Sequence, residues 1–372
     1  MNVLAYRDGT LFNQLFRKFE PFFIEKRESL GRKFRFMEVC GTHTVSFSKT
    51  GVRDLLSPYI DLTSGPGCPV CVTDQADIDQ MIAYAKKENV IITTFGDMMK
   101  VPGTRTNLYK ERAEGADIRV VYSASQALQI AQEHPHKQVL LLGVGFETTA
   151  PSIALSIMRA KDEGVKNFFV YAAHKLTPPA VKSLINDDNH KIDGFILPGH
   201  VSVIIGREGW RLLEEHQIPA VISGFEPIDL LTSTYLLTKE MEQSDYTIKN
   251  NYTRNVKEAG NEKAKSILEE VFTISSPKWR GFGSLPFSGM EINSAYEEFD
   301  ASKRILCETP KSRVVKGCRC GEIVKGKETP FDCKLFGKAC NPDRPLGPCM
   351  VSSEGTCSTY FNYERANKKV SL

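Results

Sequence analysis

The sequence predicts an α/β protein in which two similar Rossmann-like lobes with parallel sheets are followed by a loop-rich domain that holds most of the cysteines. Two observations predict this architecture. Short apolar runs alternate with helical patterns through the middle of the chain, which is the rhythm of βαβ units. The 10 cysteines fall into two groups, with three up to residue 71, none in the next 235 residues and seven in the last 66. Such an uneven distribution indicates two chemical centres.

Seven short apolar runs have the length and composition of buried strands, and they span residues 34–39, 60–63, 90–94, 138–142, 168–172, 195–197 and 220–222. Apolar residues at helical spacing lie between them, most clearly over 74–88 and 152–163. Nearly every unusual motif comes directly after a predicted strand and before a helix. Because ligands of open α/β sheets bind at the carboxyl ends of strands, we expect these motifs to line one sheet edge or two facing edges.

The elements divide the chain into five segments. Residues 1–34 form an N-terminal segment that we expect to pack on the C-terminal domain. Residues 35–125 and 126–235 form the two lobes, whose similar order of motifs suggests an internal duplication. Residues 236–306 form a helical connector that ends in a loop rich in glycine, proline and serine. Residues 307–372 have little apolar core of their own, so a metal cluster would supply the missing stability.

Composition excludes several classes of protein. The chain of 372 residues is 41% hydrophobic and 25% charged, which is typical of a globular protein rather than a disordered one. Its 48 basic and 45 acidic residues give no electrostatic signature of nucleic-acid binding. We find neither an apolar run of about 18 residues, as a membrane span requires, nor a secretory signal. We therefore expect a cytoplasmic protein, in which clustered cysteines indicate metal or redox chemistry rather than structural disulfides.

The C-terminal cysteines carry the most specific signal. Six of them stand within 40 residues of predicted loop, namely Cys318, Cys320, Cys333, Cys340, Cys349 and Cys357. Zinc usually takes four ligands from two C-x-x-C pairs, and this segment contains none. An iron–sulfur cubane takes four thiolates from any loops that reach it, so the irregular spacing favours a [4Fe–4S] cluster over zinc or inert thiols. Two thiols remain, and these could form a disulfide beside the cluster. The earlier Cys307 has hydrophobic neighbours, and we expect it to be a buried apolar residue.

Two further cysteine motifs follow predicted strands. Cys68 and Cys71 in GPGCPVC precede a predicted helix, whose N-terminus would stabilise a thiolate. Two cysteines that are three positions apart can also form a reversible disulfide. This favours a redox pair over half of a zinc site or a plain structural pair. Cys40 and His43 in CGTHT are expected to face one ligand, with roles as metal ligand or proton donor. A Cys–His nucleophile and a structural histidine are the alternatives.

Three more residues occupy the same topological position after a strand. Glu147 in GFETTAP, His174 in AAHKLTPP and His200 in LPGHVS are predicted to contribute to cofactor binding, with helix caps or turns as the alternative. Asp97 and Glu226 share this position, but a cap or turn role is favoured for both. The sequence has neither a G-x-G-x-x-G nor a Walker motif, so ATP or NAD is not indicated.

Six motifs, in this order, resemble those of HypD-type hydrogenase maturation proteins: VCGTHT, SGPGCPVC, GFETTAP, LPGHVSVIIG, ISGFEP and CRCGEI…DCKLFGKAC…PLGPCMVSSEGTCS. The similarity runs from near residue 35 to near residue 360. It implies a factor that helps to build the Fe(CN)2CO group of [NiFe]-hydrogenases with a HypC-type small chaperone, whose N-terminal cysteine shares the iron. Cyanide would come from a thiocyanate on a HypE-type carrier, which works with a HypF-type partner. Two α/β domains and a third domain with a [4Fe–4S] cluster are also implied.

The resemblance also implies roles for individual residues. Cys40, His43, Cys68 and Cys71 match the family motifs that would hold the iron and perform the thiol redox step. The cluster environment of the family is similar to that of ferredoxin:thioredoxin reductase, in which a cubane adjoins a disulfide. That similarity implies four ligands and one adjacent redox pair, although any four of the six thiols could serve. The implied ligands are Cys318, Cys333, Cys340 and Cys349, and the implied redox pair is Cys320 and Cys357.

Two other functions fit the same residues. A free-standing iron–sulfur thiol-disulfide reductase would use the cluster and Cys68/Cys71 on a protein disulfide and would need no partner. A binding scaffold would keep its cluster for stability alone. We expect a redox-active assembly scaffold, and its status as an enzyme in its own right is left open by the sequence.

Overall fold

The computed structural model describes residues 3–187, 192–244, 246–308 and 311–365. Its strands are β1 Phe34–Glu38, β2 Ile60–Ser64, β3 Val90–Thr94, β4 Ile118–Val120, β5 Gln138–Gly143, β6 Phe168–Ala172, β7 Gly194–Pro198, β8 Ala220–Ser223, β9 Lys249–Asn250, β10 Phe272–Ser275, β11 Lys278–Trp279, β12 Gly283–Ser284 and β13 Gly289–Ile292. Each of the seven predicted strands is present. Strands β3, β7 and β8 are buried along their whole length, as is typical of strands covered on both faces by helices.

The helices are α1 Gly9–Leu30, α2 Gly41–Lys49, α3 Val52–Leu56, α4 Pro69–Val72, α5 Gln75–Ala85, α6 Leu108–Ala113, α7 Ala124–Glu133, α8 Ala150–Asp162, α9 Thr177–Ile185, α10 Gly199–Ile205, α11 Arg211–Glu215, α12 Pro227–Gln243, α13 Glu262–Val271, α14 Ala301–Arg304, α15 Cys320–Val324, α16 Pro348–Val351 and α17 Thr356–Thr359. Among the described residues, no helix combines the length and the apolarity that crossing a membrane requires.

Two parallel sheets organise the chain. The first has the order β2-β1-β7-β8-β9, and the second has the order β4-β3-β5-β6. Every pairing within both sheets is parallel. One apolar core runs between them and includes residues of the C-terminal segment. The predicted α/β class, with parallel sheets and a loop-rich cysteine region, is confirmed.

The strands are divided between the sheets differently from the predicted lobes 35–125 and 126–235. The chain builds β1 and β2, crosses over to make the whole second sheet, and then returns to add β7, β8 and β9 to the first. The predicted boundary after residue 125 therefore falls inside the second sheet, between β4 and β5. Strand pairing across 150 residues has no local signature, which is why consecutive lobes were the wrong division.

The N-terminal segment packs on the first sheet region, and its predicted packing on the C-terminal domain stays a prediction. Helix α1 begins after Asp8, whose carboxylate accepts hydrogen bonds from the first turn. Its buried face consists of Phe16, Phe19 and Phe23, and it contacts α12. Phe19 stacks on Tyr235 with ring centroids 4.0 Å apart.

The connector predicted over 236–306 contains strands as well as helices. Helix α13 packs on α8, and the β10–β13 pair lies against β6, so the segment covers the second sheet. After residue 307 the described chain has only helices of three to five residues, joined by turns. This segment packs against α2 and α4 of the first sheet, at the carboxyl ends of β1 and β2.

Candidate functional site

The carboxyl ends of the first sheet bring together residues from four motifs. Cys40 and His43 follow β1, Cys68 and Cys71 follow β2, and His200 follows β7. A fourth loop, after β8, adds Phe225, on which both histidine rings stack; the ring centroids are 4.6 Å away for His43 and 3.9 Å for His200. The predicted convergence at one sheet edge thus holds for these motifs.

Cys40 is a buried thiol at the N-terminus of α2. Burial and the neighbouring Glu354 carboxylate raise its pKa to about 12, which favours the protonated thiol at neutral pH. Gly41 follows because a Cβ there would lie 2.4 Å from the Glu354 carbonyl oxygen. The C-terminal segment is therefore seated directly on the Cys40 loop.

His43 is buried and presents one free ring nitrogen. Its Nε2 lies 2.9 Å from the Gly224 carbonyl oxygen, which can only accept, so Nε2 carries the proton. Nδ1 has no hydrogen-bond partner among the described residues and keeps its lone pair. Burial lowers the pKa of His43 to about 4, and the nearby His200 contributes to the shift. A neutral imidazole of this kind can accept a proton or ligate a metal.

Cys68 and Cys71 form a disulfide at the start of α4. Gly67, the residue before it, is packed against Cys40: a Cβ at Gly67 would lie 2.4 Å from the Cys40 Cα, and Gly41 N–H donates to the Gly67 carbonyl at 2.9 Å. The two cysteine loops therefore interlock through their backbones. No residue other than glycine fits at position 67 without separating the disulfide from Cys40.

Glu354 is a residue of this site to which the sequence analysis assigned no role. It accepts a hydrogen bond of 2.5 Å from the Thr42 hydroxyl, and its burial raises the pKa of its own carboxyl. Ser352, two residues earlier, donates to Asp97 at 2.9 Å, so the loop after β3 also reaches this segment. Glu354 lies between Cys349 and Cys357 in the sequence, and that position in a cysteine motif was the only signal that could have singled it out.

The six C-terminal cysteines converge on one small enclosed cavity. Five of them line it, and they are Cys318, Cys320, Cys333, Cys340 and Cys357. The sulfur atoms of Cys320, Cys349 and Cys357 all lie within 4.8 Å of one another. Gly347 closes the cavity, since a Cβ there would lie 2.6 Å from the Cys320 sulfur and 2.9 Å from that of Cys318. A buried group of soft thiols around one space is the donor set that iron or an iron–sulfur cluster requires.

The three sulfur atoms that lie closest together include one implied ligand and both members of the implied redox pair. Cys349, an implied ligand, is fully buried and contacts Cys320 and Cys357, the implied pair. Cys340 accepts a hydrogen bond from the Leu346 N–H at 3.3 Å, a contact typical of a sulfur held for ligation. The assignment of individual roles stays a prediction.

Helix α4, which carries the disulfide, packs against both α15 and α16. Cys320 begins α15 and Cys349 lies in α16, so the disulfide helix contacts both elements of the cysteine cavity. The disulfide helix and the cysteine cavity are therefore in direct contact.

Glu147 and His174 follow strands of the second sheet, whereas Glu226 follows Phe225 at the edge of the first sheet. Glu147 is buried and accepts hydrogen bonds from the Thr177 N–H at 2.6 Å and hydroxyl at 2.8 Å, which are the contacts of a cap for α9; burial raises its pKa to about 7. Glu226 forms an ion pair with Arg7 at 2.6 Å and caps α12. The contacts of both residues are structural, and the cofactor role of Glu147 stays a prediction.

His174 comes just after β6 at the carboxyl edge of the second sheet, and it lines a cavity of about 320 Å³ together with Asp77, Tyr171 and Lys175. Neither ring nitrogen has a hydrogen-bond partner among the described residues, and burial lowers its pKa to about 3. Its predicted cofactor role also stays a prediction. The expectation for Cys307 is wrong, because this residue is partly exposed and lines an open groove beside Lys86 and Lys87.

Comparison with known proteins identifies the family. The family model HypD, described as the hydrogenase formation hypA family, matches residues 18–364. The chain is 41% identical to the hydrogenase expression/formation protein HupD of Azotobacter chroococcum, with 98% of this chain and 97% of that protein covered. It is 40% identical to the hydrogenase maturation factor HypD of Azotobacter vinelandii, with 99% and 98% covered, and 39% identical to that of Cupriavidus necator, with 98% and 97% covered. With its cysteine centre and these similarities over nearly its full length, the chain belongs to the HypD family of hydrogenase maturation factors.

Proposed function

We propose that this protein is a redox-active scaffold on which the Fe(CN)2CO group of [NiFe]-hydrogenase is assembled in the cytoplasm. The observation that carries the proposal is the contact between three cysteine loops. The Cys40 loop interlocks with the Cys68–Cys71 disulfide through Gly67, and the disulfide helix packs on the C-terminal thiols. A metal-binding thiol, a two-electron store and a metal centre thus meet in one place.

The iron that is being built is the cargo of this site. Cys40 would bind it as a thiolate, with a second thiolate from the N-terminal cysteine of a HypC-type chaperone. Because burial and Glu354 hold the Cys40 pKa near 12, iron must displace the proton, and the free Nδ1 of His43 is a base on the same loop. Thiolate ligands suit iron that carries strong-field diatomic ligands.

Cyanide delivery requires two electrons. A HypE-type carrier, loaded by its HypF-type partner, would present cyanide as a thiocyanate. Cleavage of the S–C bond releases cyanide to the iron and leaves the carrier sulfur as a thiol. Reduced Cys68 and Cys71 supply both electrons by joining their sulfurs; one of their protons goes to the carrier thiol and the other is released. In this proposal, a Cys68–Cys71 disulfide is the product of the step.

The C-terminal cavity fits a resident [4Fe–4S] cluster by its donor set, its burial and its closure by Gly347. Such a cluster supplies single electrons when it is bound. We propose Cys318, Cys333, Cys340 and Cys349 as its ligands. Cys320 and Cys357 are the proposed redox pair, and their sulfurs lie within 4.8 Å of each other.

Serine replacement of each C-terminal cysteine tests this division. We expect loss of cluster iron and sulfide for the four proposed ligands, because serine does not replace a thiolate on a cubane. Cys320→Ser and Cys357→Ser should keep near-normal iron and sulfide but lose the pair of thiols that an alkylating reagent labels only after reduction. Iron and sulfide analysis of anaerobically purified protein is the measurement. Retention of the cluster in Cys349→Ser together with its loss in Cys320→Ser would reverse the assignment.

The reductase alternative is less well supported. A reductase of protein disulfides must present an attacking sulfur to its substrate. Cys68 and Cys71 are only 5% and 0% exposed, and Gly67 and Cys40 cover the loop. A small thiocyanate group and an iron ion can reach such a site more easily than a folded protein disulfide.

The central test uses the HypC-type partner. We expect the anaerobic complex to contain about four cluster irons and one further iron, with cyanide and carbonyl bands in the infrared spectrum. Cys40→Ser should lose the additional iron and these bands, whereas the cluster iron stays. Cys307→Ser serves as the matched control, because Cys307 lies in a separate groove. Cluster iron without diatomic bands in the wild type, together with turnover of small disulfides, would favour the reductase.

A further inference from the structure

Arg280 is a buried cation without an anion. Its side chain belongs to a residue that is 6% exposed, yet it forms no ion pair with any part of the chain that the structure describes. Its Nε donates to the Thr73 carbonyl at 3.1 Å, and both Nη groups donate to the Gln75 side-chain oxygen at 3.2 and 3.3 Å. All of these acceptors are neutral. An unpaired buried charge is costly, so a negative partner is expected nearby.

A comparison with Arg53 shows why the absence of a carboxylate at Arg280, among the described residues, is informative. Arg53 is equally buried, but it pairs with the carboxylate of Glu38 and lies 3.6 Å from that of Glu364. The fold therefore provides carboxylates where a buried arginine needs them. At Arg280 it provides carbonyl and amide oxygens that orient the guanidinium and leave its charge uncompensated.

The position of Arg280 places it between the disulfide helix and the cysteine cavity. Its backbone N–H donates to the Val72 carbonyl at 2.8 Å, at the end of α4. The next residue, Gly281, lies against Gly321, which follows Cys320; a Cβ on Gly281 would be 2.5 Å from the Gly321 oxygen. The chain at Arg280 and Gly281 therefore contacts both α4 and the start of α15.

We propose that Arg280 is the counter-ion of the anionic iron–thiolate centre held by the C-terminal cysteines, and that it raises the reduction potential of that centre. The inference rests on the proposed function, which places a cluster in this cavity. Four thiolates around a cubane give it a net negative charge, and reduction adds another. A fixed cation in a medium of low dielectric constant stabilises the reduced form more than the oxidised form. By holding the Val72 and Thr73 carbonyls, Arg280 also positions the disulfide helix beside the same centre.

The test is a redox titration of the anaerobically purified holoprotein, followed by the electron paramagnetic resonance signal of the reduced cluster. For Arg280→Gln we expect the ratio of reduced to oxidised cluster at a fixed potential to fall about tenfold, which is a shift of ~59 mV for a one-electron couple. Arg280→Lys, which keeps the charge, should recover most of the wild-type potential. An unchanged potential in Arg280→Gln overturns the proposal.

Arg319→Gln is the matched control. Arg319 stands between Cys318 and Cys320 in the sequence, but it is exposed and pairs with Glu328 at 2.7 Å, so its charge is already neutralised and screened. We expect it to shift the potential far less than Arg280→Gln, and an equal shift would overturn the specific role of Arg280.

Two further outcomes separate this inference from the proposed function. If Arg280→Gln binds no cluster but Arg280→Lys does, the requirement for a positive charge is supported. If neither variant binds the cluster, the hydrogen bonds of the guanidinium to Thr73 and Gln75 are required instead of its charge, and the proposal fails. A wild-type protein without iron in this cavity overturns the proposed function itself.

Discussion

Replacing Cys68 by serine should abolish the cyanide bands of the assembly complex while leaving its iron content near the wild-type level. The serine hydroxyl cannot join Cys71 in a disulfide, so the two electrons that release cyanide from a thiocyanate are no longer available. Cys40 and the C-terminal thiols are untouched, and Gly67 still seats the loop on Cys40. The infrared spectrum of the anaerobic complex measures the cyanide bands, and iron analysis of the same sample measures the iron content. We expect loss of at least nine-tenths of the band intensity relative to the Cys307→Ser control.

This variant separates the redox-active scaffold from a scaffold whose cluster serves only stability. Normal cyanide bands in Cys68→Ser would show that the disulfide is not the electron store and would favour the passive scaffold. Loss of iron together with the bands would instead make Cys68 an iron ligand beside Cys40. Thermal unfolding of Cys68→Ser and of the Cys307→Ser control, compared with the wild type, verifies that both variants are folded.

Replacing Arg53 by methionine should cause the largest loss of stability, about 3–5 kcal/mol. Arg53 lies on α3 and pairs with Glu38, which is fully buried at the end of β1, two residues before Cys40. It also donates to the Leu62 carbonyl at 2.8 Å and lies over the Tyr360 ring of the C-terminal segment. The methionine variant leaves the Glu38 carboxylate buried without a cation. The midpoint of urea unfolding of the holoprotein measures the change.

The loss of stability in Arg53→Met should depend on pH, in a direction that the pKa of Glu38 determines. Burial already raises the pKa of Glu38 and Arg53 lowers it, so removal of Arg53 raises the folded-state pKa further. A carboxyl whose folded pKa lies above its unfolded value loses stability as pH rises. The difference in the free energy of unfolding between Arg53→Met and the wild type should therefore become smaller as the pH falls from 8 to 5.5.

Two variants control this prediction. The double variant Glu38→Gln with Arg53→Met removes both charges and should recover a large part of the lost stability. Arg159→Met breaks an exposed pair with Glu163 and should change stability by no more than about 0.5 kcal/mol. Equal losses for Arg53→Met and the double variant would assign the effect to packing instead of to the buried charge.

Local patterns in the sequence determined the fold class and most of the centre. Short, mostly apolar runs of three to six residues are typical of strands in a parallel sheet covered by helices, and they identified every strand that carries a motif. The position of the motifs after strands then placed Cys40, His43, Cys68, Cys71 and His200 at a carboxyl edge, because strand direction fixes where each loop emerges. The density of the C-terminal cysteines indicated a metal centre without any knowledge of their geometry.

Only the tertiary structure decided which loops meet. The return of the chain from β6 to β7 puts the His200 loop beside Cys40 and leaves Glu147 and His174 on the other sheet, although all three motifs look alike in the sequence. The partnership between Glu354 and Cys40 and the unpaired charge of Arg280 depend on contacts between residues more than 200 positions apart. Pairing of parallel strands and packing of loops are non-local, so their partners leave no periodic trace along the chain, whereas secondary structure and the chemistry of a motif do.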